Sequence, residues 1–302
     1  MGFCLQVDES LEEGLRRISL EQIRGAIKDI DSDKLSAHEK VHEVRKRCKR
    51  LRGLLRLVRP AMAEYSSANA LFRDMARDLS SLRDNQACIE SLGALIAACK
   101  SELKGQNLAP IRDYLHSQRD AQASEKKDVL EALKQVKKAM KKAVTEVDSW
   151  QLDTDKPQAW LAGFRANYRQ GRRAMGLALQ EPSTEHFHEW RKRVKYHWFH
   201  LQLLENIWPS LLIPLAEEAH QLSAIIGDEH DLSVLQSVLG PYHQRQNMDK
   251  TLALLFTLLD GRRAELRSQA FISGQRLYAD TSKTLGKRFA AYWTQWRISK
   301  GE

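Results

Sequence analysis

The chain has 302 residues, with 48 Lys and Arg against 39 Asp and Glu, a formal net charge of +9 and a mean hydropathy of −0.51. Hydrophobic residues make up 42%, which excludes a fully disordered chain and suffices for the core of one large domain or two ordinary ones. No uncharged apolar run reaches the roughly 18 residues of a membrane helix, Asp8, Glu9, Glu12 and Glu13 stand where a signal peptide needs apolar residues, and Gln6 holds the Ser/Thr position of a myristoylation signal, so a cytoplasmic protein is expected.

In chain order, apolar residues recur at threes and fours throughout, while strand-like alternation and hairpin turns are nearly absent. A first helix starts near residue 10 and stops at Asp31-Ser32-Asp33; a second covers about 37–59 and closes at Pro60. Residues 104–110 form a connector, and a Lys-rich helix spans about 125–147. Asp153-Thr154-Asp155-Lys156-Pro157 is the strongest mid-chain break, with Pro157 placed as the first residue of a helix. Gln180-Glu181-Pro182-Ser183 precedes another helix, and Pro209, Pro214 and Gly240-Pro241 punctuate the remainder. An all-α fold of ten to twelve helices is expected. Cys4, Cys48, Cys88 and Cys99 form no Cys-x-x-Cys pair, and the ten histidines form no His-Glu-x-x-His. The cysteines are expected to be reduced and structural, with no metal or cofactor.

One pattern occurs twice. Val41-His42-Glu43-Val44-Arg45-Lys46-Arg47-Cys48-Lys49 and Phe187-His188-Glu189-Trp190-Arg191-Lys192-Arg193-Val194-Lys195 share the order apolar-His-Glu-apolar-Arg-Lys-Arg-apolar-Lys. Downstream, Leu82-Arg83-Asp84 aligns with Glu229-His230-Asp231 at nearly the same offset. Two landmarks at one offset point to a duplicated unit, with halves of about 1–148 and 149–302 packed as one body.

On a helical wheel Val44, Cys48, Leu51, Leu55 and Val58 form a core-facing stripe, and His42, Arg45, Lys49, Arg52 and Arg56 fall together within about 80° beside it. Residues 42–59 carry eight Lys/Arg and one acid, so this helix holds most of the excess charge of the chain. The second copy puts Arg191, Lys195 and His188 beside Trp190, Val194 and Leu201, with Lys192 close by; Arg165, Arg169, Arg172 and Arg173 cluster on the preceding helix. Like charges at i, i+4 weaken a helix by a few tenths of a kcal/mol per pair, and a solvated face normally mixes signs. A one-sign stripe therefore points to an anion, which Arg forks and Lys point charges can hold. The plainer alternative pairs these cations with Asp74, Asp78, Asp84, Glu217, Glu218 and Asp231, and Arg47 and Arg50, which point elsewhere on the wheel, are expected to pair in this way. The Lys-rich helix reads as a solvated outer face.

The duplicated His-x-x-Arg-Lys-x-x-Lys helix, in the stretches VHEVRKRCKRLRGLLRLVRP and FHEWRKRVKYHWFHLQLLE with LSSLRDNQACIESL and IIGDEHDLSVL downstream, resembles the CHAD domain (conserved histidine α-helical domain) from about residue 10 to 297. The resemblance implies a single CHAD domain over 1–302. It implies two related helical bundles around a basic central groove or pore, inorganic polyphosphate as ligand, and association with polyphosphate granules. It puts His42, Arg45, Lys46, Lys49 and Arg52 of the first copy and His188, Arg191, Lys192 and Lys195 of the second at the polyphosphate site, with Arg169, Arg172 and Arg173 as additions; Arg56 continues the first stripe. The second copy departs after Lys195, where Tyr196, His197, Trp198 and Phe199 replace Arg50, Leu51, Arg52 and Gly53, so the site is expected to lean toward 37–59. Some members carry a triphosphate-tunnel phosphatase domain, for which this chain has neither the strand pattern nor an alternating Glu-x-Glu-x-Lys segment.

The expected function is non-catalytic, electrostatic binding of polyphosphate. The rivals are a nucleic-acid binder, disfavoured because the aromatics sit near the apolar arcs, and a phosphohydrolase, disfavoured because Asp84 and Asp231 are single carboxylates placed as helix caps or ion-pair partners. A scaffold that brings a polyphosphate-processing enzyme or granule proteins to the polymer is compatible with the main reading. The sequence leaves oligomeric state open.

Overall fold

The computed structural model describes residues 2–79, 84–121, 126–245 and 249–298. Among these the chain forms eleven α-helices and no strand. The first six are α1 (Leu11–Asp31), α2 (Ala37–Val58), α3 (Tyr65–Asp78), α4 (Asp84–Ala98), α5 (Ala109–Ala121) and α6 (Lys126–Val147). The other five are α7 (Gln158–Gln180), α8 (Thr184–Leu203), α9 (Pro209–Arg245), α10 (Lys250–Leu277) and α11 (Ser282–Ile298).

Helix starts follow local chemistry. Ser10 and Glu13 close a reciprocal box at α1, and Ser36 and Glu39 do the same at α2: each Ser hydroxyl accepts from the Glu amide while the Glu carboxylate accepts from the Ser amide. Ser183 caps α8 through the His186 amide, and Asp249 caps α10 through Thr251 and Leu252. Pro60 lies in a 3-10 turn, Arg59–Ala61, that ends α2, and Gly105, at φ 82, supplies the turn before α5.

The largest departure from the sequence expectation is α9. Pro214 and Pro241 lie inside one 37-residue helix instead of ending it, and Asp231 sits mid-helix, so it caps nothing. Pro214 costs the hydrogen bond to the carbonyl four residues back, but α9 packs against α8, α10 and α4, and that burial outweighs the local penalty. Pro157 is the cap residue before α7 and not its first residue.

Two apolar cores form. The larger joins α1, α2, α3, α6, α7, α8, the first part of α9, the later part of α10 and α11, around Leu51, Trp160, Phe164 and Trp190. The smaller joins α4 and α5 (Cys88, Leu92, Leu95, Ile111, Leu115) to the later part of α9 and to α10 (Leu232, Leu235, Leu252, Leu255). Both draw on residues before and after 149. The expected stripe of α2 is buried, Cys48 included; burial pushes the Cys48 thiol up to about 12 despite nearby Arg52, Arg45 and Lys49, so it stays protonated. In α6, Leu133, Val136, Met140 and Val147 are buried, and Lys134, Lys138, Lys141 and Lys142 are exposed.

Three contacts fix the central helices. A Cβ on Gly163 would fall on the Arg56 and Leu57 carbonyls, so only glycine lets α7 approach α2 this closely. Gly53 admits the Phe199 ring where α2 crosses α8. At the same crossing His200 Nε2 donates to the Gly53 carbonyl at 3.1 Å. His197 and His200 are buried, and that burial lowers both to about 3.

A histidine that is neutral in the fold and charges readily once unfolded stabilises the protein above the unfolded value near 6.5 and loses that contribution as pH falls toward 3. The unfolding free energy should therefore fall below pH 6.5 by roughly 1.4 kcal/mol per pH unit for each of the two. His197→Phe should flatten this acid limb in urea titrations run from pH 7 to pH 4; an unchanged slope would show that His197 is not the titrating group.

Candidate functional site

A cleft opens where α2, α8 and α9 converge, with Ala87 of α4 at one edge. Its main cavity is about 550 Å³ and a second of about 190 Å³ adjoins it; the two share Lys49, His188, Arg191, Lys195 and Phe199. From α2 the lining takes His42, Arg45, Lys46, Lys49, Arg50 and Arg52, and from α8 His188, Arg191, Lys192 and Lys195. The α9 wall adds His220, His230 and Asp231. Among the described lining residues that makes eight Lys/Arg and four His against one acid.

The helices position these side chains by periodicity. Because Val44, Cys48 and Leu51 must face the core, Arg45, Lys49 and Arg52 emerge along its margin; Trp190, Val194 and Leu201 do the same for Arg191 and Lys195. Arg45 Nη1 donates to the Leu79 carbonyl at 2.9 Å and Arg52 Nε to Asn69 Oδ1 at 3.3 Å, which tie the stripe to α3. Lys46 meets Glu43 at 3.2 Å, and Lys192 pairs with Glu189, both at the rim. Gly227 of α9 leaves room for the Arg191 guanidinium, which a Cβ there would meet at 2.6 Å.

The field in the cleft is legible in its titrating groups. His188 sits 5.2 Å from the His230 ring, and partial burial, His230, Lys192 and Arg191 push its pKa below the usual imidazole value. Arg50 is likewise lowered, by burial and then by Arg47. Two unit charges about 10 Å apart repel by about 0.4 kcal/mol in water and about 1.7 at an effective dielectric of 20. Eight such charges in one cleft thus form a site that a multiply charged anion relieves.

Of the thirteen residues singled out from sequence, the structure brings nine to this cleft. Arg56 lies over the Tyr196 ring at 4.4 Å and is absent from the lining. Arg169, Arg172 and Arg173 are exposed on α7 and also lie outside it; a basic run carries no information about which side of the fold it faces. Arg47 does pair with an acid, Asp29 at 2.6 Å. Arg50 does not follow it: its long side chain reaches the cleft with its guanidinium 5.4 Å from the Phe3 ring, because a wheel records Cβ directions and not the reach of a flexible stem.

The sequence reading missed the α9 wall. His220, Gly227 and Asp231 share one face of a continuous helix, a pattern hidden once Asp231 is read as the cap of a new helix. It also missed Trp198, whose ring stacks on His220 at 4.1 Å and on Phe199 at 4.9 Å. Behind the wall, buried Glu229 accepts from Arg263 at 3.0 Å and Arg267 at 2.7 Å, which anchors α9 to α10.

The family model described as CHAD domain matches residues 17–240, about three quarters of the chain. No curated protein matches it.

Replacing Glu229 with Ala leaves two largely buried guanidiniums without this partner. The variant should lose about 2–4 kcal/mol of stability in urea unfolding, since breaking a buried ion pair costs more than the pair is worth. A loss under about 0.5 kcal/mol, the scale of an ordinary surface change, would show that the anchor is not needed.

Proposed function

The chain belongs to the CHAD-domain family, and on that premise we propose that it binds inorganic polyphosphate in the cleft between α2, α8 and α9, without cleaving it. The observation that carries this reading is the lining of eight Lys/Arg and four His against one acid among the described residues. A linear polymer of phosphates offers a dense row of oxygens to match forked Arg and point-charge Lys donors. The cleft is the basic groove expected of the family, and Lys46 and Lys192, each already beside a glutamate, form its rim.

The duplication belongs to the same proposal. Gly53 and Phe199 occupy matching positions of the two motifs and touch where α2 crosses α8, as equivalent points do near a two-fold axis. The caps Ser36 and Ser183 fall within one residue of the same correspondence. The halves 1–148 and 149–302 are then units of descent within one CHAD domain, folded over shared cores.

Two features favour polyphosphate over nucleic acid. Trp198 spends its ring on His220 and Phe199, and Tyr196 lies under Arg56, so the aromatic faces near the cations are engaged internally, where a stacked base would need them. Asp231 as the one acid among the described lining residues supports binding over hydrolysis, because Mg²⁺-assisted phosphoryl chemistry draws on clustered carboxylates. The chain is a cytoplasmic, granule-associated polyphosphate binder in this reading, and it can serve as a scaffold for a processing enzyme.

Lys49→Glu with Lys195→Glu should weaken binding of long-chain polyphosphate at least about a hundredfold, since each charge-assisted contact is worth about 1.5–3 kcal/mol, with helicity by circular dichroism retained. Undiminished binding would overturn the site. Competition titrations should show polyphosphate displacing RNA or DNA at far lower phosphate equivalents.

A polyanion in the cleft would also raise the depressed pKa of His188, which faces His230, Arg191, Lys192 and Glu189. Binding then takes up a proton, so affinity should rise as pH falls through and below about 6.5, by up to about tenfold per pH unit for one histidine. His188→Gln should remove that part of the slope in calorimetric titrations; an equal slope in the variant would assign the uptake to other groups.

A further inference from the structure

The three predicted α7 arginines that lie outside the cleft are not scattered. Arg165, Arg169, Arg172 and Arg173 lie along one side of α7, and all four are exposed. Arg165 Nε donates to the Ser282 carbonyl at 3.2 Å and its stem packs on Gly286, while Arg172 Nη1 donates to the Asp280 carbonyl at 3.3 Å. Both contacts bring the stripe against the start of α11, where Lys283 is exposed and Arg288 pairs with Asp280. Six cations thus gather around one acid, and the N-terminal amides of α11 add a partial positive charge.

This patch is separate from the cleft. On α8 the cleft residues His188, Arg191 and Lys195 point one way, and Arg193 and His197, half a turn round, point the other. Those two meet α7: the Asn167 side chain donates to the Arg193 carbonyl at 3.2 Å, and Phe164 and Tyr168 lie 5.4 and 5.3 Å from the His197 ring. On α7, Asn167 lies about half a turn from the arginines, and Tyr168 stands between the two faces, its hydroxyl donating to the same Asp280 carbonyl as Arg172. Two helix layers, roughly 20 Å, separate the patch from the cleft. At physiological ionic strength charges interact over only about 8 Å through solvent, so the patch adds little to the field felt by a small anion in the cleft.

We propose that the α7–α11 patch is a second polyphosphate-binding surface, engaged only by chains long enough to continue past the cleft or to bridge to it. The proposal rests on the reading of the cleft given above. A chain held at one site presents its remaining phosphates to the other at high effective concentration, so avidity grows with chain length without any new contact in the cleft. Short oligophosphates occupy the cleft alone.

The test compares tripolyphosphate with long-chain polyphosphate on the full-length protein. Arg169→Glu with Arg173→Glu changes two exposed side chains and spares Arg165 and Arg172, which hold the backbone of the α10–α11 connection. This variant should bind long chains about tenfold or more weakly, with the salt dependence reduced by roughly 1–2 in slope. Its affinity for tripolyphosphate should stay within about twofold. Lys138→Glu with Lys141→Glu, on the outer face of α6, makes the same change in net charge and should leave both probes near the wild-type values. Wild-type affinity for long chains in the α7 variant, equal loss for both probes, or equal loss in the α6 variant would each overturn the proposal. The Lys49→Glu/Lys195→Glu variant separates the two readings. If it keeps both probes while the α7 variant loses long chains, the cleft reading and the bridging proposal both fall, and the patch is left as a polyphosphate site of its own. If the wild-type protein binds neither probe, both fall.

Discussion

Mutual repulsion among the cations of the cleft is the constraint that the surrounding structure has to meet. Arg45, Lys49, Arg191 and Lys195 approach one another because apolar and neutral contacts, with Arg56 over the Tyr196 ring beside them, hold α2 and α8 together. Gly53 lets the Phe199 ring sit at the crossing, His200 is neutral and donates to the Gly53 carbonyl, and Val44, Cys48, Trp190 and Val194 bury the inner faces. Burial of each such side chain contributes about 1.5–3 kcal/mol, which exceeds the repulsion between any one pair of cations across solvent. The apolar crossing therefore sets the spacing of the cations, and the cations determine what the cleft accepts.

The neutral histidines and the exposed ones divide along the same line. His197 and His200 lie inside the crossing, where charging either would leave a buried ion without a partner. His188 and His42 lie at the solvent margin of the same helices, where protonation is compatible with the fold and favoured by an anion. One residue type thus serves the packing of α8 on one face and the chemistry of the cleft on the other, and helical position alone decides which.

Much of this was readable from the chain because it depends on periodicity. The helices and the buried stripe of α2 follow from a spacing of three and four, and the motif recurs as a repeated order of residues. What was not readable depends on relations that spacing does not encode. Asp231 looked like a cap because Gly and Pro surround its segment, yet packing on α8 and α10 carries α9 through. Arg50 and Arg47 look alike on the wheel, but one finds Asp29 and the other reaches the cleft past Phe3. Arg169, Arg172 and Arg173 are as basic as the motif residues. Only the packing of α7 against α8 through Tyr168 and Asn167 turns them to the far side.

The smaller core carries a consequence for how the protein is made. Leu92, Leu95, Ile111 and Leu115 leave the ribosome long before Leu232, Leu235, Leu252 and Leu255, the residues that cover them. Throughout that interval α4 and α5 can pack only on each other, so a nascent chain ending near residue 148 presents an open apolar seam. The two halves, however alike in their motifs, are unequal during synthesis. The first must wait in a partly assembled state for the second, and a chaperone that shields leucine-rich helices would find residues 88–115 open throughout that wait.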